Sequence, residues 1–414
     1  MTATHVPGLL LTDHTIQVPL DHSEPEGEQI TLYAREVATR DSSDKPYLVF
    51  LQGGPGSEAP RPSGVPSSPP WLARALADYR VLMLDQRGTG ASTPFGLDDL
   101  KTGTPEQVAA RLTHFRADSI VEDAELLRAH LGVQTWSLLG QSFGGFTSLA
   151  YLCRYPHSLA EVYITGGLAA VDHSADEVYA STYETMRRKS LAYYRRFPGD
   201  RDRMRALLAA CNAGEVVLPN GDVVTPRLLR TIGLNLGAIG GLEAVHYLLE
   251  ADHCSARFRY DLEALLPFGG RNPLYYVLHE SSCCNGGATR WSAQRVMPAD
   301  FQEDLTLFTA EHVFDWHLED RSELAPYAEV TRLLAEHDWP RLYDADALRQ
   351  ADVPVAAAIY SDDAYVTRAF SEETAALLPR MRAWVTSEYE HNGLRFDGAK
   401  VLDRLIALAR DETY

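Results

Sequence analysis

The sequence predicts an α/β protein: a mostly parallel sheet, interrupted once by a long helical segment and then completed. Three observations lead there. Short continuous apolar runs recur at Tyr47-Leu-Val-Phe-Leu51, Arg80-Val-Leu-Met-Leu84, Trp136-Ser-Leu-Leu139 and Ala160-Glu-Val-Tyr-Ile164. Runs of this length suit strands buried on both faces, as in a parallel sheet flanked by helices. The rhythm stops near residue 172, and residues 172–345 are helical in period with many charges and aromatic side chains. It then resumes with Val353-Pro-Val-Ala-Ala-Ala-Ile-Tyr360 and Ala383-Trp-Val-Thr386.

Each element has its own reason. Residues 8–20 and 28–37 alternate apolar and polar side chains, the pattern of two antiparallel strands with one solvated face. The run at 47–51 ends at Gly53-Gly-Pro-Gly56, a strong turn signal, and residues 55–70, rich in Pro and Ser, read as a loop. The run at 80–84 ends at Asp85-Gln-Arg-Gly88. Ile120, Val121, Ala124, Leu127 and Leu131 have the spacing of one helix face. The run at 136–139 passes directly into Gly140-Gln-Ser-Phe-Gly-Gly145 and an apolar helix carrying Phe146, Leu149, Ala150 and Leu152. A last helix spans 398–410. The expected organisation is a core built from residues 1–171 and 346–414, with residues 172–345 inserted as a helical cap over its active edge.

Composition narrows the function. A length of 414 residues admits two domains, or one with an insertion. With 45% apolar and 23% charged residues the chain has the balance of a soluble globular protein, and no run of about 18 apolar residues provides a membrane span. The net charge of −19 repels nucleic acid and anionic membranes, so neither is an expected partner. The first residues show no basic stretch before an apolar core, hence no secretory signal. The five cysteines, Cys153, Cys211, Cys254, Cys283 and Cys284, form no CxxC pair, and the vicinal two read as small apolar filler. A reducing, cytoplasmic setting is expected. No His–carboxylate spacing suits a metal and the glycine-rich loops lack a Walker lysine, so no cofactor is expected.

Gly140-Gln-Ser142-Phe-Gly144 matches G-x-S-x-G. A strand must turn sharply into a helix with Ser142 at the apex, and small residues two before and two after let the backbones pass. The apolar strand before and the apolar helix after are the setting this turn requires. A serine hydroxyl is a weak nucleophile until a neighbouring base takes its proton. On folds with this elbow an acid and then a histidine follow in chain order. Nine histidines follow Ser142, but only His391, in Glu390-His-Asn-Gly393 after the last strand, has the right place. The acid is Asp362 or Asp363, both just past the 353–360 strand. Adjacent residues there point in opposite directions, so one reaches the imidazole. Related hydrolases carry Asp-x-x-Val at this point, and Asp363-Ala-Tyr-Val366 matches, which favours Asp363. The negative charge of a tetrahedral intermediate needs donors: the N–H of Phe143 and one from Gln52-Gly-Gly-Pro-Gly56, for which Gly54 is preferred.

The segments Gly53-Gly-Pro-Gly56, Asp85-Gln-Arg-Gly-Thr-Gly90, Gly140-Gln-Ser-Phe-Gly-Gly145 and Glu388-Tyr-Glu-His-Asn-Gly-Leu394, with Tyr276-Val-Leu-His-Glu-Ser281 in the insertion, resemble the proline iminopeptidase (prolyl aminopeptidase) family of α/β-hydrolases. They span most of the chain. The pairing of Gly-Gly-Pro-Gly with Asp-Gln-Arg-Gly is more specific than the elbow alone. The first loop departs from the family, with Gln52 where a histidine is usual; Gln52 is expected to bond the loop in its place. The resemblance implies an α/β-hydrolase with a helical cap, acting as a serine aminopeptidase. It implies release of an N-terminal residue, preferably proline, from a peptide with a free amino group, through a Ser-His-Asp triad and an acyl-enzyme. A cationic amine is best held by a carboxylate in a partly dry pocket. Family members use cap glutamates for this, and Glu280 matches their pattern; Glu243 and Glu250 are weaker candidates for a second. Tyr275, Tyr276 and Trp291 are candidates to line a slot for the pyrrolidine ring, or to form cap core. Arg87 reads as half of a buried ion pair bracing the loop beside the site. The competing reading within enzymes is a small-molecule carboxylesterase or amidase, which has no need of a cap carboxylate. Epoxide hydrolases and dehalogenases are excluded because their elbow nucleophile is Asp. A dead binding module is expected to have lost a triad member, and none is missing.

Overall fold

The computed structural model describes residues 4–42 and 44–414; the first three residues of the stretch read above for a leader lie outside them. The alternating N-terminal segment forms β1 (Thr4–Val6), β2 (Leu9–Pro19) and β3 (Gln29–Ala38), paired antiparallel. Next come β4 (Tyr47–Leu51), the two-residue strands β5 (Ser63–Gly64) and β6 (Ser67–Ser68), and β7 (Arg80–Asp85). β8 (Trp136–Gln141) and β9 (Leu159–Thr165) precede the insertion, and β10 (Val355–Tyr360) and β11 (Met381–Thr386) follow it. The main sheet runs β1-β2-β3-β7-β4-β8-β9-β10-β11, parallel from β7 onward.

Every residue of β4, β8 and β10 is buried, which is why their sequences are continuous apolar runs. Their side chains alternate between two hydrophobic layers. Val49, Leu51, Leu82, Leu84, Leu138 and Ile164 face the helices Ala117–His130 and Phe143–Arg154. Leu48, Phe50, Val81, Met83, Leu139 and Tyr163 face the helices Leu72–Asp78 and Gly398–Ala409. The period of two therefore persists inside the sheet, although most positions on both faces are apolar. β11, the edge strand, is partly exposed along its length.

Two elements differ from the sequence reading. β1 has only three residues, too few for alternation to be visible. The Pro- and Ser-rich stretch 55–70 contains the β5–β6 hairpin, whose Gly64 lies so close to the N-terminal strands that a Cβ there would stand 2.0 Å from the Pro7 carbonyl oxygen.

Between β9 and β10 the chain is helical, opening with Ala175–Arg196. This segment divides by its packing. Tyr183, Met186, Tyr193, Leu229, Phe258 and Phe308 belong to a core of their own, joined by Ala364 from the loop after β10. Phe268, Leu274, Tyr276, Val313 and Tyr327 belong instead to the layer that covers the sheet. Among the described residues, no helix is long and apolar enough to cross a membrane.

Candidate active site

β4 is the point where the chain's strand order reverses: β7 lies on one side of it and β8 on the other. The crevice beyond the carboxyl ends of such strands is where α/β sheets place ligands. Ser142 stands there, between β8 and the helix Phe143–Arg154, with φ 83° and ψ −115°. A non-glycine residue in that region is strained and must be held by its surroundings. Here the Ser142 N–H donates to Thr165 O on β9 at 3.1 Å. The glycines make the turn possible: a Cβ on Gly140 would stand 2.4 Å from Gly144 O, and one on Gly144 would stand 1.9 Å from Leu51 O.

His391 and Asp363 come to Ser142 from loops at the same sheet edge. His391 Nε2 lies 2.9 Å from Ser142 Oγ, and His391 Nδ1 lies 2.7 Å from Asp363 Oδ2. Because Nδ1 faces a carboxylate it carries the ring proton, which leaves Nε2 to accept from the serine hydroxyl. All three residues are buried. The other oxygen of Asp363 accepts from the N–H groups of Tyr365 (2.9 Å) and Val366 (3.0 Å). The Asp-x-x-Val spacing thus has a physical cause: the carboxylate closes its own turn two and three residues on. Asp362 points outward and is exposed. The imidazole is fixed from two further sides. Its backbone N–H donates to Gly237 O at 3.0 Å, and the Tyr365 ring packs edge-on against it at 4.7 Å. Burial opposes the imidazolium, but the Asp363 carboxylate and its hydrogen bond, helped by Glu311, outweigh it and hold the His391 pKa above its ordinary value.

Sequence reasoning missed Gly166, directly after β9. Its φ is +50°, and a Cβ there would stand 2.9 Å from His391 Nδ1 and 3.2 Å from Asp363 Oδ2. The glycine pair ending a buried strand was the available signal. The expected oxyanion donors flank the serine. Phe143 is the first residue of its helix, so its N–H has no intrahelical acceptor. Gly54, at φ +129°, lines the cavities on both sides of Ser142. In the loop before it, Gln86 Nε2 donates to the Gln52 carbonyl at 3.1 Å.

Ser142 opens onto two spaces. A narrow inner cavity is lined by Phe146, Val178, Tyr179, Cys283 and Val366 among others. A roomier outer cleft, of about 220 Å³, is lined by His391, Tyr275, Asn392 and Arg395 among others. One carboxylate, Glu311, lines both, and it accepts a short hydrogen bond from the Tyr275 hydroxyl. Burial first, and then the Glu311 charge, push the Tyr275 pKa well above its ordinary value, so the phenol remains a donor.

The cap carboxylate expected from the sequence is elsewhere. Glu280 lines a separate small cavity with Tyr276, Thr289, Trp291 and Trp339. Its neighbour His279 faces the inner cavity. Consecutive residues on one helical turn point in different directions, and the turn is rotated so that the histidine, not the glutamate, meets Ser142. Glu280 Oε1 accepts from the Ala293 N–H at 3.0 Å, and burial raises its pKa to about 7. Glu243 pairs with Arg196 at 3.1 Å and Glu250 lies 3.9 Å from Arg203; both are well exposed and neither lines the site. Of the three aromatic candidates, Tyr275 reaches the cleft, while Tyr276 and Trp291 surround Glu280. Glu311 went unread because it stands in an irregular stretch between the short helices Ala299–Glu303 and His317–Asp320, where no period can be read. Its signal was a single carboxylate in the run Phe308-Thr-Ala-Glu-His-Val-Phe314, otherwise free of charged residues apart from one histidine.

Arg87 is buried against Asp123, with Nε–Oδ2 2.7 Å and Nη2–Oδ1 2.6 Å, and it also donates to the carbonyls of Pro19, Leu20 and His114. It braces the Asp-Gln-Arg-Gly loop. Among the described residues, the group with metal-like closeness is Asp252, His253 and Cys254, which lines neither space at Ser142.

Residues 46–209 match the model of the α/β hydrolase fold family. A proline iminopeptidase of Aeromonas sobria is 47% identical to this chain, covering 98% of it and 97% of the relative. A proline iminopeptidase of Aspergillus aculeatus is 31% identical over 95% of this chain and 92% of the relative. A probable proline iminopeptidase of Streptomyces coelicolor is 35% identical, but over only 30% of this chain and 32% of that protein. Similarity that runs nearly end to end in the first two spans the sheet and the helical insertion together, so the chain belongs to the proline iminopeptidase family of α/β-hydrolases.

Proposed function

We propose that this chain is a serine aminopeptidase that releases an N-terminal residue, preferably proline, from short peptides with a free amino group. The observation that carries the reading is the hydrogen-bonded line Asp363–His391–Ser142, opening onto cavities whose one carboxylate is Glu311. Ser142 Oγ attacks the carbonyl carbon of the N-terminal residue while His391 Nε2 takes its proton. Asp363 holds the ring in the productive tautomer and stabilises the imidazolium. The N–H groups of Phe143 and Gly54 receive the developing oxyanion. His391 then protonates the departing amine of the next residue, leaving an acyl-serine. Water, deprotonated by the same histidine, hydrolyses it.

Glu311, rather than Glu280, takes the substrate ammonium. It lines both spaces at Ser142, and the Tyr275 hydroxyl occupies one side of its carboxylate. The inner cavity receives the side chain of the first residue. Residues 172–345 act as a cap over the core formed by 1–171 and 346–414. The five cysteines are free thiols, which fits a cytoplasmic enzyme. The partner is a small peptide; the acidic surface suits neither nucleic acid nor an anionic membrane. The chemistry needs no metal or organic cofactor.

The test compares kcat/KM for proline β-naphthylamide and its N-acetyl derivative. The free amine is expected to be cleaved far faster, because acetylation leaves Glu311 facing a neutral amide. Equal rates would turn the assignment toward a carboxylesterase or amidase of neutral substrates.

A further inference from the structure

Arg395 is not used by the mechanism above. Among the described residues it is the only lysine or arginine lining either space at Ser142, as Glu311 is the only aspartate or glutamate. Arg395 follows His391 by one turn, on the short helix Gly393–Phe396. That turn lies tightly on β10: a Cβ on Gly393 would stand 2.6 Å from the Tyr360 hydroxyl oxygen. Arg395 Nη2 donates to Gln141 Oε1 at 3.1 Å, a neutral acceptor, and among the described residues no carboxylate lies within 4.0 Å of the guanidinium. Most other arginines at this surface are paired, for example Arg271 with Glu58 and Arg61 with Asp85. Its charge is felt within the site, where it opposes protonation of His391.

The site is therefore dipolar. Glu311 is shared by the inner cavity and the outer cleft, whereas Arg395 lines the outer cleft alone. Resting on the aminopeptidase reading, with the ammonium at Glu311, we propose that Arg395 binds the C-terminal carboxylate of the substrate and makes the enzyme selective for dipeptides and tripeptides. The distances suit this. Gln141 Oε1 and Ser142 Cβ lie 3.1 and 3.0 Å from the point where a Cβ on Gly53 would stand, so the guanidinium is anchored one side chain from the nucleophile. An extended chain advances about 3.3–3.6 Å per residue. A carboxylate one or two residues beyond the scissile bond thus falls in reach of Arg395, which retains free N–H donors for a charge-assisted pair. A longer peptide brings only a neutral amide to the same place. The overall charge of −19 makes the cation more consequential, because the rest of the surface repels the substrate's carboxylate end.

The experiment measures kcat/KM for Pro-Gly and Pro-Gly-amide with the wild type, Arg395→Gln and Arg395→Lys. The wild type is expected to favour the free acid by about tenfold or more, the scale of a hydrogen bond to a charged group. The preference should collapse toward one in Arg395→Gln and return in part in Arg395→Lys. A residue that merely supports Gln141 would alter both substrates alike and leave their ratio untouched. A wild-type ratio near one, or a preference that survives in Arg395→Gln, overturns the proposal; Arg395→Met replaces Arg395→Gln if the latter does not fold. Proline β-naphthylamide, which has no carboxylate, separates the two levels: if the wild type does not cleave it, the aminopeptidase reading itself fails.

Discussion

The carboxyl edge of the sheet and the inserted helices both contribute to the candidate site, but by different rules. At the sheet edge Ser142, Asp363 and His391 lie far apart in sequence, yet each follows a parallel strand whose neighbours are fixed by register. A parallel strand ends in a known direction, so the residue that follows it is aimed at the same crevice. In the insertion, rotation about a helix axis decides which of two adjacent side chains meets the cavity. His279 faces Ser142 and Glu280 turns away into another space. Motif and order locate chemistry on a sheet; on helices they locate the neighbourhood and leave the direction to packing.

The comparison is broken most directly at the sheet edge. Ser142→Ala is expected to lower kcat by about 10⁶-fold, the scale of losing a nucleophile from a triad. Near-normal turnover by a folded variant, measured on proline β-naphthylamide, would remove the sheet edge from the chemistry. Asp363→Asn comes next, at about 10⁴-fold, because it presents the wrong partner to Nδ1. The exposed neighbour Asp362→Asn should change kcat little. Assaying the two side by side tests whether strand geometry alone distinguishes adjacent carboxylates.

The contrast also explains what the sequence made legible. The buried strands of the main sheet were visible as continuous apolar runs because both faces are covered. The elbow was visible because its glycines are steric necessities, with backbone atoms occupying the space a Cβ would need. Gly166 answers to the same necessity but stands outside any five-residue pattern, and it becomes meaningful only beside the His391 ring. Glu311 and Arg395 were illegible for another reason. Each acquires its role from the cavity it lines, and that cavity is closed by residues from 53 to 395. No local spacing encodes so distant a convergence.

Glu311 sharpens the comparison on the side of the insertion, where it stands between two short helices. Leaving one partner of a buried charge pair alone costs about 3–5 kcal/mol. Glu311→Gln should therefore lower kcat/KM for proline β-naphthylamide by about 10²–10³-fold, and by much less for p-nitrophenyl acetate, which carries no ammonium. Equal losses on the two substrates would mean that Glu311 supports the fold rather than the amine. A second readout follows from charge. His391 acts as a base only when neutral, so activity falls as pH drops through its pKa, which lies above the ordinary value partly because of Glu311. Removing that charge should move the acidic limb of ester hydrolysis to lower pH. A limb that stays in place would show that Glu311 and His391 do not sense one another.

Glu280→Gln should have the smallest effect on turnover and a visible one on stability. Its carboxyl is buried, and desolvation raises its pKa from 4.5 in the unfolded chain to about 7. Between those values the folded protein holds a proton that the unfolded chain has released. The stability contributed by the protonated form is thus complete below pH 4.5 and is lost as pH rises toward 7. At about 1.4 kcal/mol per unit the loss is on the order of 3 kcal/mol. A glutamine cannot titrate, so in Glu280→Gln this part of the pH dependence should flatten. Thermal melts at pH 5, 6, 7 and 8 on both proteins measure it, alongside kcat/KM for proline β-naphthylamide. A flattened melting profile with kcat/KM within a few-fold of wild type places Glu280 in the packing of the insertion. A kcat/KM loss as large as that of Glu311→Gln would return the amine-binding role to Glu280 and erase the distinction between the two carboxylates of the insertion.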